Sequence, residues 1–386
     1  MRVMGVTLIV LGLAMLAPQV ARAETLPPAS DSGEVCTVGY QMYRPADCPA
    51  NGPGSRAMHY WEMGLLPARP LPAAAPDPAL AAPDFGFARV SKDSELHLYP
   101  SFVDAASDNR AVVKFPGFVF ISYQDVVERD GERFYITGGS EIVRRDDAAP
   151  ISVHRFQGLL FNATPLRSFG WIVESTYPRS APGSKGAELR TWLPRYTVIQ
   201  VYDTRQVDGL NWYMIGVDQW VDQRKVGLVE PSAAPPAEVP IGTRWITINL
   251  FEQTLAAYDN GRLVFATLVA SGIPPWHTRP GTFQVFKKVD RQPMSGSFAA
   301  DRSDYYYLQD VPWVLYFDRA RALHGTYWHD GFGYKRSHGC VNMSIGDARW
   351  IYEWADLSTW VYVTDPSGRR PLTRRRMPTM PAAHEV

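Results

Sequence analysis

The sequence of 386 residues has only three cysteines, no surplus of either charge and no apolar run of membrane-spanning length. Lys plus Arg and Asp plus Glu each number 39, so the formal net charge is zero. A general nucleic-acid binder normally carries a basic surplus, so this balance argues against nucleic acid as a partner. Hydrophobic residues make up 46% and charged residues 20%, which is typical of a globular protein. The length predicts two or three domains.

The longest apolar run lies at the N-terminus and has the layout of an export signal. Arg2 precedes an apolar stretch over residues 6–16, and residues 21–23 have the A-x-A pattern of a cleavage site. The run is short for a bilayer span, and Pro18 follows it; an uncleaved anchor is the alternative. We therefore predict a signal peptide over 1–23 and no stable membrane span after its cleavage. The mature protein is expected in the periplasm or the cell-wall-facing extracellular space.

The three cysteines divide into a pair and a single thiol. Cys36 and Cys48 lie twelve residues apart in a polar, proline-containing stretch, and an oxidising compartment would allow them to form a disulfide. Whether their geometry permits the bond is left open at this point. If they pair, Cys340 is the remaining free thiol.

Two segments rich in proline and alanine divide the chain. Residues 67–83 consist largely of Pro and Ala and are expected to form a semi-extended spacer, and residues 231–240 form a second break. The basic C-terminal end reads as a solvated tail, with contact to anionic polymers or lipid headgroups as the alternative. The predicted divisions are a leader and linker (24–84), two repeats (85–150 and 151–230), a linker (231–240), a catalytic domain (241–365) and a basic tail (366–386).

The middle of the chain contains an internal repeat. A shift of 78 residues lays residues 115–143 over 193–221 with identical residues at eight positions. Both copies contain an Asp-Gly pair, at 130–131 and 208–209, which is a hairpin signal between short β-rich segments. The pattern resembles bacterial SH3-like domains and predicts two small barrels. Binding of wall polymer or peptide is one reading of these repeats; we favour a spacer that positions the next domain.

The C-terminal third predicts further strands and one clear helix. Apolar and polar residues alternate over 245–250, and Asn260-Gly261 separates two apolar strands as in a hairpin. Ser344 and Asp347 have the S-x-x-D spacing of a helix start, and apolar residues then recur at helical spacing. We therefore expect a mainly β fold with minor α structure.

The residues with catalytic potential concentrate between 324 and 343. A cysteine becomes a useful nucleophile when an imidazole, a positive charge or oriented N–H groups stabilise its thiolate. Cys340 has His338 and His324 upstream, and Gly339 leaves the backbone beside the sulfur open to a substrate carbonyl. A metal site made from these residues and His329 is conceivable by ligand type. It lacks the usual ligand spacing, however, so we expect neither a metal nor another cofactor.

The order of these residues identifies a family resemblance. His324-Gly325-Thr326 is followed, after ten intervening residues, by the heptapeptide SHGCVNM at 337–343. This pattern resembles the signature of the L,D-transpeptidase (YkuD-type) family, and Gln253 and the TRPG stretch at 278–281 agree with the family's upstream part. The resemblance covers roughly residues 240–365. It implies a mixed β-sandwich-like catalytic domain with one or two helices, preceded by the two SH3-like barrels.

The resemblance also implies roles for individual residues. Cys340 is expected to be the nucleophile and His324 the general base, with its ring steadied by the carbonyl of Gly325. The oxyanion hole is expected to consist of backbone N–H groups, and the remaining motif positions are expected to support the site. These oxyanion or supporting residues are Ser337, His338, Gly339 and Asn342.

The implied activity is acyl transfer on peptidoglycan stem peptides. Cys340 would form a thioester with release of D-alanine, and an amine acceptor would then take the acyl group. Transfer to water would instead make the enzyme an L,D-carboxypeptidase. A wall-binding protein whose enzyme domain is secondary is the alternative from another functional class.

Overall fold

The computed structural model describes residues 53–90, 95–114, 117–232, 234–297, 299, 301 and 305–367. The predicted signal peptide, the Cys36 and Cys48 pair and residues 368–386 of the tail lie outside these ranges. The chain divides into two compact units, Met1–His59 and Tyr60–Val386. Within the described ranges, no helix has the length and apolar character needed to cross a membrane.

Strands dominate the described residues, which confirms the prediction of a mainly β fold. The α-helices in this part of the chain are α1 (Pro53–Glu62), α2 (Phe102–Ala106) and α3 (Ile345–Trp354). The strands of the first half are β1 (Ala73–Ala74), β2 (Gly86–Val90), β3 (Glu95–Leu98), β4 (Ala111–Lys114), β5 (Phe118–Tyr123), β6 (Asp125–Arg129), β7 (Glu132–Ile136), β8 (Ile142–Arg144), β9 (Ala148–Ile151), β10 (Leu159–Phe161), β11 (Phe169–Ile172) and β12 (Val198–Gln200).

The second half continues the series with longer strands. These are β13 (Asp203–Val207), β14 (Leu210–Gly216), β15 (Gln219–Asp222), β16 (Val226–Val229), β17 (Arg244–Asn249), β18 (Thr254–Asp259), β19 (Arg262–Leu268), β20 (Gly281–Gln284), β21 (Lys287–Gly296), β22 (Tyr306–Asp318), β23 (Arg321–Gly325), β24 (Val341–Met343) and β25 (Trp360–Thr364).

One seven-stranded sheet has the order β1-β10-β19-β18-β17-β25-β20. Its β18–β19 hairpin turns at Asn260 and Gly261, whose φ angles are 50° and 77°, and Asp259 pairs with Arg262. Both residues lie in the left-handed region, where Asn and Gly are the residues of lowest cost, so the predicted Asn-Gly hairpin is confirmed. Strand β25 joins β17 in parallel, with Trp245 opposite Trp360.

A second sheet has the order β24-β23-β22-β5-β2-β9, and β21 pairs with β22 beside this path. Strand β5 joins β22 in parallel, with Tyr306 opposite Phe118 and Leu308 opposite Phe120. Strand β5 belongs to the first repeat as the sequence delimits it, and β22 belongs to the predicted catalytic domain. The backbone hydrogen bonds therefore continue across the boundary between the two.

The two large sheets and α3 share one hydrophobic core. Its buried members come from both sheets and from the helix, as in a layered β structure. They include Ile246, Ile248, Leu255, Phe265, Leu315, Leu323, Val341 and Ile351.

Helix α3 begins where the sequence predicts. The Ser344 hydroxyl accepts a hydrogen bond from the N–H of Asp347 at 3.2 Å, which satisfies one of the free donors at the helix N-terminus. The Asp347 carboxylate points into the core, where it accepts bonds from Gly158 N–H at 2.9 Å and from the Thr267 hydroxyl at 2.6 Å. The Asp347 side chain therefore links the first turn of the helix to β19 and to the segment before β10.

The internal repeat is visible as a repeated order of elements. The β6–β7 and β13–β14 hairpins begin 78 residues apart, and their Asp-Gly turns have positive φ in both copies. A 3-10 helix follows each meander, at 145–147 and 223–225, and β9 and β16 begin directly after them. Each copy also contributes three adjacent antiparallel strands: β12-β11-β16 form a sheet of their own, whereas β5-β2-β9 are part of the second large sheet. The assignment of these copies to the SH3-like class stays a prediction.

Part of the Pro/Ala-rich segment is folded against the rest of the chain. Ala73 and Ala74 of β1 pair with β10, and residues 78–81 form a 3-10 helix that packs against α3. A Cβ on Gly346 would come within 3.2 Å of the backbone of Ala81, so the two elements approach closely. The end of the predicted spacer is thus part of the compact unit.

Candidate active site

Two neighbouring parallel strands carry the residues of the predicted site. In the pairing of β23 with β24, Leu323 lies opposite Val341 and His324 lies opposite Asn342. Side chains alternate between the two faces of a strand, so Cys340, two residues before Asn342, is directed to the same face as His324. The register thus places the strand that carries the expected base beside the strand that follows the expected nucleophile, although sixteen residues separate the two side chains in the sequence.

The turn before Cys340 has a backbone that glycine accommodates best. Gly339 has a φ of 113°, a region that other residues rarely adopt. A Cβ on the facing Gly272 would lie 2.2 Å from the Trp276 carbonyl oxygen and 2.9 Å from the Cα of Gly339. The loop at 272–278 therefore presses directly against the nucleophile turn.

Two hydroxyl groups fix this turn. Ser337 Oγ accepts a hydrogen bond from Gly339 N–H at 3.0 Å and donates to the Cys340 carbonyl oxygen. Thr278 Oγ1 accepts from Gly272 N–H and donates to the Gly339 carbonyl oxygen, both at 2.9 Å. Gly339 N–H, one of the backbone groups expected to bind an oxyanion, is thus already bonded to Ser337.

The Cys340 thiol is half-buried and uncharged at neutral pH. Burial raises its pKa, and the N–H of Ala322 and the charge of Arg321 oppose this shift. Its Sγ–H donates to the carbonyl oxygen of Ala320 at 3.7 Å. In the resting geometry the sulfur therefore contacts the end of the β22–β23 hairpin.

Arg321 is a functional candidate that the sequence analysis missed. Its Nε donates to the His277 carbonyl oxygen at 3.0 Å, and its guanidinium lies 3.2 Å from the buried Asp318 carboxylate. Asp318 also binds Arg279 through two hydrogen bonds. The only sequence signal for this role is the three-residue spacing of Asp318 and Arg321 across a tight hairpin. That spacing points to the active site only when β24, which follows Cys340, is known to lie beside β23.

His324 is 2% exposed, and its ring orientation follows from one hydrogen bond. Nδ1 lies 3.0 Å from the Gly325 carbonyl oxygen, which can only accept, so the proton is on Nδ1 and Nε2 carries the lone pair. Burial lowers the pKa of His324 to about 4, and the carbonyl contact opposes that shift. The Trp328 ring stacks against the imidazole with centroids 5.7 Å apart.

His329 determines the orientation of the Asn342 amide. Gly331 N–H donates to His329 Nδ1 at 3.0 Å, and burial, followed by the charge of Arg336, lowers the pKa of His329 to about 3. The neutral ring therefore has its proton on Nε2, which lies 2.9 Å from the Asn342 side-chain amide. The Asn342 amide oxygen therefore accepts the proton of His329 Nε2. If the Asn342 NH2 were placed there instead, two hydrogen-bond donors would face each other. The Asn342 NH2 then faces away from His329.

Aromatic rings form one wall beside the sulfur. The Tyr306 ring lies over the His338 ring with centroids 4.5 Å apart, and Tyr306 and Tyr316 both pack in the cluster that contains Cys340. Burial, and then the nearby sulfur, raises the pKa of Tyr316 to about 12. His338, the nearer histidine in sequence, thus contacts this wall.

Among the described residues, no group of three His, Cys, Asp or Glu side chains is arranged to hold a metal ion. Within the same part of the chain, Cys340 is a free cysteine.

Comparison with known proteins adds a family match. Residues 243–363 match the model of the YkuD L,D-transpeptidase catalytic domain. None of the curated proteins compared with the chain matches it.

Solved structures of L,D-transpeptidases match the same third of the chain. The enzyme from Stackebrandtia nassauensis is 26% identical over 34% of this chain and 58% of its own, with a TM-score of 0.26. That from Xylanimonas cellulosilytica is 24% identical over 34% and 65%, with a TM-score of 0.27. The catalytic domain from E. faecium is 23% identical over 33% and 100%, with a TM-score of 0.29. The chain thus spans less than two thirds of the first two.

The family match and the predicted motif fall on the same strands, β17 to β25. Residues 243–363 of this chain form a YkuD-type L,D-transpeptidase catalytic domain.

Proposed function

We propose that the protein is an exported cysteine L,D-transpeptidase that acts on peptidoglycan stem peptides. The observation that carries this proposal is the parallel register of β23 and β24, which directs Cys340 and His324 to one face. The catalytic domain type supports the reaction class. Because stem peptides lie outside the cytoplasm, the substrate also supports the predicted export.

The first step is proton transfer from the thiol. Nε2 of His324 has a free lone pair because Nδ1 binds the Gly325 carbonyl, so Nε2 is the atom that accepts the Cys340 proton. This transfer requires the thiol to leave the Ala320 carbonyl, to which it donates in the resting geometry. Arg321 and the Ala322 N–H stabilise the resulting thiolate, and Trp328 stabilises the imidazolium.

The second step is acyl transfer. The thiolate attacks the carbonyl before the terminal D-alanine of a wall tetrapeptide, and backbone N–H groups of the nucleophile turn bind the oxyanion. The C–N bond breaks, the imidazolium gives its proton to the departing amine, and a thioester remains. An amine on a neighbouring stem then attacks the thioester, His324 takes its proton, and the sulfur leaves. Ser337 and Asn342 hold the turn in place during both transfers.

Transfer to water would make the same site an L,D-carboxypeptidase, and the two reactions share the thioester. Binding to wall polymer through the repeats is a further candidate, which an open groove on the first copy, lined by Tyr135 and Arg145, favours. The products separate the first two activities: a cross-linked dimer requires an amine acceptor, whereas a free tripeptide requires water.

Intact-protein mass spectrometry after incubation with a carbapenem tests the nucleophile. Wild type should gain the mass of the drug, because an activated thiol opens the lactam ring. Cys340→Ala should gain none, and His324→Ala should react roughly a hundredfold more slowly because its general base is gone. His59→Ala, which changes an exposed histidine, should react as wild type does.

Two outcomes would end this proposal. One is an adduct that persists in Cys340→Ala. The other is folded wild type that gains no adduct and leaves a wall tetrapeptide unchanged. Incubation with the tetrapeptide and an amine acceptor, followed by product masses, assigns the acceptor.

A further inference from the structure

The first repeat copy has an open groove on the face of its β-meander. It encloses about 320 Å³, enough for the end of a peptide. Its lining combines two tyrosines with charged side chains from the meander and from the 3-10 helix that follows. With Val126 and Pro150, the lining residues are Tyr123, Glu128, Arg133, Tyr135 and Arg145.

The floor of the groove contains a buried hydroxyl that lacks a partner. Tyr135 is 1% exposed, and its OH makes no hydrogen bond to any described residue. The rings of Tyr135 and Tyr123 stack with centroids 4.2 Å apart. Tyr123 in turn covers Gly86, where a Cβ would lie 2.2 Å from its ring. The floor is thus rigid and presents a polar group that a ligand would satisfy.

The charge on the groove wall favours an anion. Arg145 is half-buried, and no carboxylate of the described residues lies within 4 Å of its guanidinium. Arg133 pairs with Glu128 at 3.2 Å, so that pair is largely neutral. Arg145 therefore contributes most of the positive charge.

The second repeat copy has different residues at the positions that line the groove of the first copy. A shift of 78 residues replaces Tyr135 by Tyr213, Arg133 by Asn211 and Arg145 by Gln223. Burial, and then the charge of Glu252, raises the pKa of Tyr213.

Glu252 belongs to the turn between β17 and β18, outside the repeat. Its carboxylate accepts the N–H of Leu228 at 2.9 Å, and Leu228 is the counterpart of Pro150. The second copy therefore faces a carboxylate from its own chain. The first copy has arginines where the second has amides, and the carboxylate in its lining, that of Glu128, is paired with Arg133 and leaves Arg145 without an acidic partner.

We propose that the groove of the first copy binds a carboxylate group of a peptide, and that the peptide is a stem peptide of the wall. The identity of this peptide rests on the proposed function; the carboxylate chemistry does not. Arg145 binds the carboxylate, and the Tyr135 hydroxyl donates to it.

Binding at this groove is measured apart from the active site by a local signal. The full chain with Cys340→Ala is labelled with fluorotyrosine, and the ¹⁹F resonance of Tyr135 is assigned by its loss in Tyr135→Phe. A wall tetrapeptide with a free C-terminal carboxylate should shift that resonance in a saturable way. Its C-terminal amide should shift it less, and acetate at the same concentration separates peptide binding from binding of any small carboxylate.

Three further substitutions sharpen the test. Arg145→Gln, which introduces the residue of the second copy, should weaken binding at least about tenfold. Arg190→Gln removes the same charge from an exposed site outside the groove and should leave the affinity unchanged. Glu128→Gln frees Arg133 and should tighten binding. Equal binding of acid and amide, or unchanged affinity in Arg145→Gln, would overturn the proposal. Since turnover is not measured, failure of the transpeptidase assay would not affect this result.

Discussion

Burial acts in opposite directions on the two reactive groups. It raises the pKa of the Cys340 thiol and lowers the pKa of His324 to about 4, because in both cases it disfavours the charged form. The Cys340 thiol and the His324 imidazole are therefore both neutral at pH 7. A preformed thiolate–imidazolium pair would require the reverse shifts, so proton transfer belongs to the catalytic step.

The pH dependence of kcat/KM should reflect this. An imidazole must be neutral to act as a base, and His324 is neutral above a pH of about 4. We expect the acid limb of the profile to fall near pH 4, about two units below that of an exposed histidine. A limb near pH 6.5 in the free enzyme would show that the ring is solvated, contrary to the structure.

The charge of Arg321 should lower the pKa of the Cys340 thiol. Arg321→Gln removes the charge that opposes burial, so the pKa of Cys340 should rise. Alkylation by iodoacetamide at fixed pH should slow roughly tenfold, and a pH series should show the shifted midpoint. Arg319→Gln removes an exposed arginine from the same hairpin and serves as the control. Equal slowing in both variants would mean that the effect is not local to the sulfur.

Helix α3 carries a buried acid at its first turn. Burial raises the pKa of Asp347 to about 6, against the opposing bonds from Thr267, Gly158 and Ser344. The unfolded chain ionises this group from about pH 4, so the folded state loses stability as the pH rises from 4 to 6, and the loss is constant above that range.

Asp347→Asn should remove this pH-dependent loss. Relative to wild type, the variant should gain stability between pH 4 and pH 7, because an amide has no charge to desolvate. Thermal unfolding at several pH values measures the difference. Ser344→Ala, which removes the N-cap, should cost about 1 kcal/mol where Asp347 is protonated, and more at higher pH because it also removes a bond that favours the ionised carboxylate. A difference between wild type and Asp347→Asn that does not vary with pH would contradict the raised pKa.

Local signals in the sequence predicted where individual strands, turns and helices lie better than they predicted which of these elements contact each other. Asn260-Gly261 and Ser344 determine a hairpin and a helix start through their own backbone preferences, so both were readable. The contacts of Arg321, His329 and Thr278 depend on strands and loops that meet only in the folded chain, so the local patterns around these residues do not reveal their roles. The same holds for the pairing of β5 with β22, since parallel neighbours need no short connection.

At the scale of the molecule, the sheets of the catalytic domain include strands from outside the segment that matches the family. Strand β5 pairs with β22, β10 pairs with β19, and Phe87 stacks on Tyr327 with centroids 3.7 Å apart. The family match nevertheless begins only at residue 243. Residues ahead of the matched segment thus complete both sheets and part of the core.

A chain reduced to residues 237–367 should therefore be less stable than residues 60–367. It would expose the edges of β19 and β22 and the face of Tyr327, which favours association through unpaired edges. Comparison of the two chains by thermal unfolding and light scattering checks this. Equal unfolding temperatures and a monomeric short chain would show that the added strands are dispensable.

The β5–β22 register has a genetic consequence. Phe118 sets the position of Tyr306, and Tyr306 lies over His338 beside the nucleophile. A strand that slips by one residue turns every side chain to the opposite face. A one-residue insertion or deletion between 118 and 120 should thus behave as an active-site mutation, although it maps more than two hundred positions from Cys340. A suppressor would be a compensating one-residue change in β22.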